Sequence, residues 1–317
     1  MKLAVVTCCL TVAACGDEPA RLAWGLGVQT FDARALGLGT DHPADPFLDA
    51  IVTTPHLTVP TYDGSGQAVH PDVLVEGSGA IMAFTPYPFS NNRFENPSLL
   101  RTLDGTRFES VPEASPLVPA PPIDHNDDPD LRRDPVTGEY ELLYLETLRP
   151  ERQTLVALRT TDLATWARHD AIVYDLAHGD SFIVSPAALV VDGVTHLYYV
   201  DLIPTARLVE LVSTDGRTWD KTLAKPVAID LGVVTPWHVD VLRGEQGFAM
   251  LISGYDAEFV HQDLYLATSP DLVSWTLAPT PLLAHTDPAL GVESLYRSTG
   301  VISGDKLVVW YSMQYAP

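Results

Sequence analysis

The sequence predicts an all-β fold, a single five-bladed β-propeller over residues 24–317, and three observations predict it. A strand-rich unit recurs along the chain. Its third strand closes each time on a polar–x–Asp–Gly/Leu–x–x–aromatic turn: Thr102–Phe108, Thr160–Trp166, Ser213–Trp219 and Ser269–Trp275. The turn aspartates fall at Asp104, Asp162, Asp215 and Asp271, steps of 58, 53 and 56 residues, while helical periodicity is nearly absent. A period of that length built from strands is one four-stranded propeller blade. In each turn the Asp is expected to cap the backbone and the aromatic to wedge between blades, so these residues are not catalytic candidates.

Taken in order, the chain opens on Lys2 and the apolar run Leu3–Ala14, too short to span a bilayer and shaped like an export signal over residues 1–14. The run ends in V-A-A-C, Val12–Cys15, which resembles a bacterial lipobox. That resemblance implies cleavage before Cys15, lipidation of its thiol and a tether over residues 15–23. The alternative is an ordinary secretory signal with an incidental cysteine. Cys8, Cys9 and Cys15 are the only cysteines, so the domain has no disulfide, thiolate metal site or cysteine nucleophile. Trp24–Phe31 alternates as one strand, and Asp41–Asp49 reads as a Pro- and Asp-rich loop. The second strands are I-M-A-F, Y-E-L-L-Y, H-L-Y-Y-V, F-A-M-L-I and, in a fifth unit, Leu307–Ser312. The fifth unit stops there, so the N-terminal segment is expected to supply the missing outer strand and close the ring.

The net charge is −22, and −23 once Lys2 is lost with the signal. A chain so acidic repels polyanions over roughly 8–10 Å at physiological salt. Nucleic acid is therefore excluded as a partner, anionic lipid is disfavoured, and neutral glycans are preferred over charged ones.

The densest polar stretch is H-N-D-D-P-D-L, His125–Leu131, at the start of a strand that looks buried. A buried carboxylate costs several kcal/mol unless paired, so three acids there need a reason. In a propeller the first strand of each blade lines the central channel, and alternate side chains face it. Aligned, the first strands are His70–Val73, Asp128–Leu131, Ser185–Ala188 and His238–Val241, with Glu293–Ser298 in the fifth blade. One face then stacks His70, Asp128, Ser185 and His238. Two residues further along, the same face carries Asp72, Asp130, Ala187 and Asp240. The bland alternative is that these acids only hydrogen-bond the blade starts.

With these strings, and with Met82–Leu100 and Trp237–Val241, the chain resembles the five-bladed propeller glycosidases of glycoside hydrolase families 43, 32 and 68, in a little-characterised bacterial and phage branch. The resemblance covers nearly the whole domain. It implies hydrolysis of a glycosidic bond between two carboxylates, one protonating the leaving oxygen while the other activates water or attacks. In that pattern a blade-one Asp, a blade-two Asp before Pro and a blade-three Glu do the work. Asp128 matches the second. His70 stands where the first is expected, with Asp72 displaced by two, and Ser185 replaces the third. The reading therefore takes Asp72 and Asp128 as the core carboxylates with Asp240 in support, and leaves the acid open among Glu95, Glu293, His238 and His125. A non-catalytic carbohydrate-binding propeller is the alternative that Ser185 favours.

Trp237, Tyr296, Phe94 and Tyr87 are candidate sugar platforms. Arg297, in an apolar Y-R-S element, requires an acidic partner. His70, His125, Asp130, Ser185, His238, Tyr296 and Arg297 complete the expected substrate-binding set with Trp237. No short metal-ligand motif is present, so no catalytic metal is assigned, although the His and Asp residues are compatible with a structural Ca²⁺. The expectation is a monomeric, exported, lipid-anchored protein facing a carbohydrate ligand.

Overall fold

The computed structural model of the chain describes residues 22–316. The signal, Cys15 and most of the tether lie outside the described residues. Strands β1 (Ala23–Asp32) and β2 (Thr54–Leu57) come first. Between them the expected loop contains a short helix, α1 (Pro46–Ala50), because Asp45 caps the Phe47 N–H and proline occupies the first turn.

Blade one is β3 (Ala68–Glu76), β4 (Gly79–Pro86), β5 (Ser98–Thr102) and β6 (Glu109–Ser110). Blade two is β7 (His125–Arg133), β8 (Tyr140–Leu148), β9 (Arg152–Thr160) and β10 (Ala167–Asp175). Blade three is β11 (Ile183–Val191), β12 (Val194–Asp201), β13 (Arg207–Ser213) and β14 (Lys225–Pro226). Blade four is β15 (Thr235–Gly244), β16 (Gly247–Tyr255), β17 (Gln262–Ser269) and β18 (Thr276–Leu277). Strands β19 (Ser294–Ser303) and β20 (Lys306–Tyr315) begin blade five. Its sheet order β19-β20-β1-β2 shows that the N-terminal segment supplies two outer strands rather than one. Ten paired positions, from Ala23 with Tyr315 to Asp32 with Lys306, fasten the two ends of the chain together.

The core is divided between the blades. Leu26 and Trp310 of blade five pack on Met82 and Phe108 of blade one, and Leu99 of blade one packs on Leu142 and Tyr144 of blade two. The other junctions follow suit: Leu145 with Leu211, Tyr198 with Trp275, and Leu251 with Tyr311. The turn aspartates act as expected. Asp104 Oδ1 accepts from the Thr106 and Arg107 N–H groups at 2.9 and 2.8 Å, and Asp215 Oδ1 from Arg217 and Thr218 at 2.8 and 2.7 Å. Each turn delivers its aromatic to a blade junction; Trp275 reaches Tyr198 with ring centroids 6.0 Å apart.

Candidate active site

Every inner strand is interrupted near its start by a β-bulge, between Val69 and Asp72, Asp127 and Asp130, Val184 and Ala187, Pro236 and His238, and Leu295 and Ser298. In the first three blades the bulge holds an X-Pro pair. Proline has no N–H for the ladder, so an unpaired bulge position suits it. The preceding residue takes left-handed backbone: φ is 55° at His70, 51° at Asp128 and 58° at Ser185. Such conformations cost of order 1–3 kcal/mol each and persist only where the surroundings impose them. Here they collect at one end of the channel. The bulge also breaks the alternation of the strand, so adjacent residues, Asp127 with Asp128 and Trp237 with His238, both reach the cavity above it.

That cavity holds about 220 Å³. Its polar wall is His70, Glu95, His125, Asp127, Asp128 and His238, and Tyr87, Phe182, Trp237 and Tyr296 form the aromatic remainder. Its floor is one constellation. His70 Nε2 lies 3.5 Å and His238 Nε2 3.4 Å from Asp128 Oδ1. His238 Nδ1 donates to the Tyr296 carbonyl oxygen at 2.9 Å, and His70 Nδ1 bonds Thr85 Oγ1 at 2.9 Å. A carbonyl oxygen only accepts, so Nδ1 of His238 carries hydrogen, and its Nε2 is turned toward a carboxylate oxygen. His70 Nε2, fully buried, has no hydrogen-bond partner. Burial holds the His70 imidazole well below its usual pKa, only partly offset by Asp128. Burial alone would raise the Asp128 carboxyl, but His70, His238 and Arg297 overcome it and hold the group well below the ordinary carboxylate range. Arg297 Nη1 donates to Asp128 Oδ1 at 2.7 Å, which is the acidic partner that its apolar setting required.

A second constellation lies beside the first. His125 Nδ1 meets Asp124 at 2.6 Å and its Nε2 meets Asp127 at 3.0 Å, with Glu95 3.9 Å from Nε2. Burial would lower the His125 pKa, yet Asp127, Asp124 and Glu95 raise it to about 11. Glu95 is pushed well above the usual carboxyl range by burial first and then by Asp127 and Asp128, with His125 opposing.

Several sequence candidates sit elsewhere. Asp72, Asp130 and Asp240 form a deeper layer within 4.8 Å of one another and do not line the cavity. Asp72 accepts from the Leu131 N–H and from Thr299 Oγ1, Asp130 from the Ala188 N–H at 3.1 Å, and Asp240 from Gly300 N–H at 3.3 Å. Each ties its blade to a neighbour, and Asp72 and Asp240, expected among the catalytic carboxylates, stand below the cavity rather than in it. Burial raises all three carboxyls, and repulsion from neighbouring carboxylates adds to it at Asp130 and at Asp240, which rises to about 7. Ser185 is buried and bridges blades three and four through Val239, and its N–H donates to Asp128 at 2.8 Å. Arg297 plugs the channel below Asp128 and reaches the Pro129 and Pro186 carbonyls. Neither Ser185 nor Arg297 lines the cavity. Glu293 is exposed one residue before β19 and stands away from the cavity. Asp127 and Arg149 were missed: strict alternation turned Asp127 outward, and Arg149 arrives from the β8–β9 turn to clasp Asp124 at 2.6 Å.

No protein-family model and no curated protein matches this chain. Solved structures do. An N-acetylgalactosamine deacetylase from F. plautii, in complex with blood group B trisaccharide, superposes with TM-score 0.66 at 20% identity, covering 88% of this chain and 81% of that one. A glycosyl hydrolase from Bacteroides ovatus gives 0.54 at 12% identity over 89% and 95%. A thermostable family-43 glycoside hydrolase gives 0.52 at 11% over 67% and 74%. The chain shares the five-bladed propeller fold of these proteins.

Proposed function

We propose that the chain is a carbohydrate-active hydrolase whose cavity holds a divalent cation on His70, Asp128 and His238, and that it releases an acyl group from a substituted sugar. The observation that carries this reading is that His238 Nε2 and His70 Nε2, the latter without a hydrogen-bond partner, stand 3.4 and 3.5 Å from one Asp128 oxygen. Those spacings suit donors around one ion with ligand bonds of about 2.0–2.1 Å. Imidazoles whose other nitrogen is hydrogen-bonded, and a carboxylate supported by arginine, are the ligand chemistry such an ion selects.

A bound divalent cation supplies Lewis-acid polarisation of a carbonyl and of its attacking water. The chain's own residues do the rest. Glu95, buried 3.9 Å from His70 Nδ1, has the raised pKa that a proton-exchanging group needs: it takes a proton from water and returns it to the leaving amine or alkoxide. His125, kept charged by Asp124 and Asp127, holds Glu95 in place. Trp237, Tyr87 and Tyr296 offer apolar walls to sugar C–H groups and exclude water. The fold likeness to a sugar deacetylase supports release of an acyl group, and so does Ser185 at the position where a glycosidase would place its acid.

Glycosidic cleavage is the second reading. It is favoured by Glu95 and Asp128, two cavity carboxyls whose environments push their pKa values apart. The Val12–Cys15 motif supports export and lipid anchoring of the domain, tested by palmitate labelling that Cys15→Ser abolishes.

The direct test is metal retention. The full chain, stripped by chelator and titrated with Zn²⁺ or Mn²⁺, is expected to bind one ion, and His70→Ala or His238→Ala to lose it while keeping the fold. Equal retention in wild type and both variants, or none in any of them, would refute the assignment.

A further inference from the structure

A second cavity, separate from the one with the His70–Asp128–His238 constellation, opens at the bulged end of the propeller. It holds about 330 Å³ between the outer strand β10 of blade two and blade three. Its walls carry two preformed ion pairs, Asp180 with Lys221 and Asp201 with Arg207, the latter at 2.9 Å. Asp201 is almost fully buried and also accepts from Ser181 Oγ at 3.2 Å and the Ile203 N–H at 3.0 Å. Lys221 is held over the Tyr174 ring, 5.3 Å from its centroid, and donates to the Val173 carbonyl at 2.8 Å. Tyr174 is 2% exposed, and its hydroxyl is buried against that of Tyr199 on the cavity wall.

Two facing hydroxyls keep one donor proton and spare lone pairs beyond their mutual bond, which a bound polar ligand can take up. The two acids and two bases cancel, so the cavity has no net charge with which to select an ion. What it offers is alternating donors and acceptors, two tyrosine hydroxyls and an aromatic ring, in a volume at the small end of ligand pockets. That pattern suits a neutral polyol, whose hydroxyls both donate and accept. Ser181 on its wall is followed directly by Phe182, which lines the catalytic cavity, so one dipeptide joins the two.

We infer that this cavity is a second sugar-binding subsite, which takes one neutral sugar unit of a longer glycan whose reacting unit occupies the catalytic cavity. It rests on the carbohydrate reading of the previous section and fixes a substrate class: a multi-unit glycan rather than a free monosaccharide.

Saturation-transfer NMR on the full chain, with methyl α-galactopyranoside, methyl β-glucopyranoside and a neutral trisaccharide as probes, tests it. Saturable binding of at least one probe is expected to survive His238→Ala and to weaken at least tenfold in Tyr174→Phe and in Lys221→Met, with both variants melting near wild type. Once a hydrolysed bond is found, either variant is expected to raise the ratio of KM for the trisaccharide to KM for the single-sugar glycoside. Binding lost in His238→Ala, binding indifferent to Tyr174→Phe and Lys221→Met, or no binding of any probe would each overturn the subsite. Tyr174-dependent binding without turnover would leave the subsite standing and sink the hydrolase reading instead.

Discussion

Arg297→Met removes the cation that plugs the channel and leaves a side chain of similar length. Arg297 is 1% exposed and donates to Asp128 Oδ1 at 2.7 Å and to the Pro129 and Pro186 carbonyls at 3.1 and 3.3 Å. Breaking one side of a buried ion pair typically costs about 3–5 kcal/mol, because the surviving charge stays buried. Two lost carbonyl acceptances push toward the upper half of that range. For a domain of this length about 2 °C accompanies each kcal/mol, so the melting temperature should fall by roughly 6–10 °C. Urea unfolding measures the free energy, and a cycle with Asp128→Asn isolates the pair. The coupling between the two sites should be about 2 kcal/mol or more. A loss under about 1 kcal/mol, the size of an exposed ion pair, would refute the claim that this pair holds the ring together.

Three further outcomes follow from the same geometry. Glu95→Gln should lower kcat by about 100-fold or more with little change in stability, since it removes only the proton exchange; unchanged kcat would exclude Glu95 from the chemistry. Asp72→Ala deprives the Leu131 N–H and Thr299 Oγ1 of their acceptor, at about 1–3 kcal/mol for each stranded group, yet turnover per folded molecule should stay within about threefold. Equilibrium unfolding against turnover separates these effects. The third concerns pH. His125 binds its proton up to about pH 11 in the fold against 6.5 as a free side chain, so its stabilisation is complete below 6.5 and is lost as pH rises toward 11. In that window the folded state holds more protons, and stability should fall by up to about 1.4 kcal/mol per pH unit. His125→Gln should flatten that slope in urea unfolding between pH 7 and 10.

Much of this was legible in the chain because propeller blades repeat their local chemistry. The turn aspartates at 104, 162, 215 and 271 carry the same side-chain-to-backbone bonds that make such turns, so the spacing marked the blades directly. Laying the inner strands side by side brought His70, Asp128 and His238 together correctly, since residues at equivalent depths converge on an axis. Depth itself was not legible. Asp72, Asp130 and Asp240 share that face, but two residues of strand rise carry them below the cavity floor. Nor could alternation foresee the bulges, which turn Asp127 inward beside Asp128 and give the cavity its second constellation. Glu293 looked like the start of blade five because it is polar, whereas the position matching Asp128 is filled by Tyr296 and Arg297.

The most direct measurement is product analysis with the cation-loaded full chain on a panel of acetylated and unacetylated neutral oligosaccharides, scoring acetate and new reducing ends in the same reaction. The account predicts acetate release that disappears with chelator and in His238→Ala and falls steeply in Glu95→Gln, with no new reducing ends. New reducing ends that are indifferent to chelator, with no acetate, would contradict the cation-centred account and make the cavity that of a glycosidase.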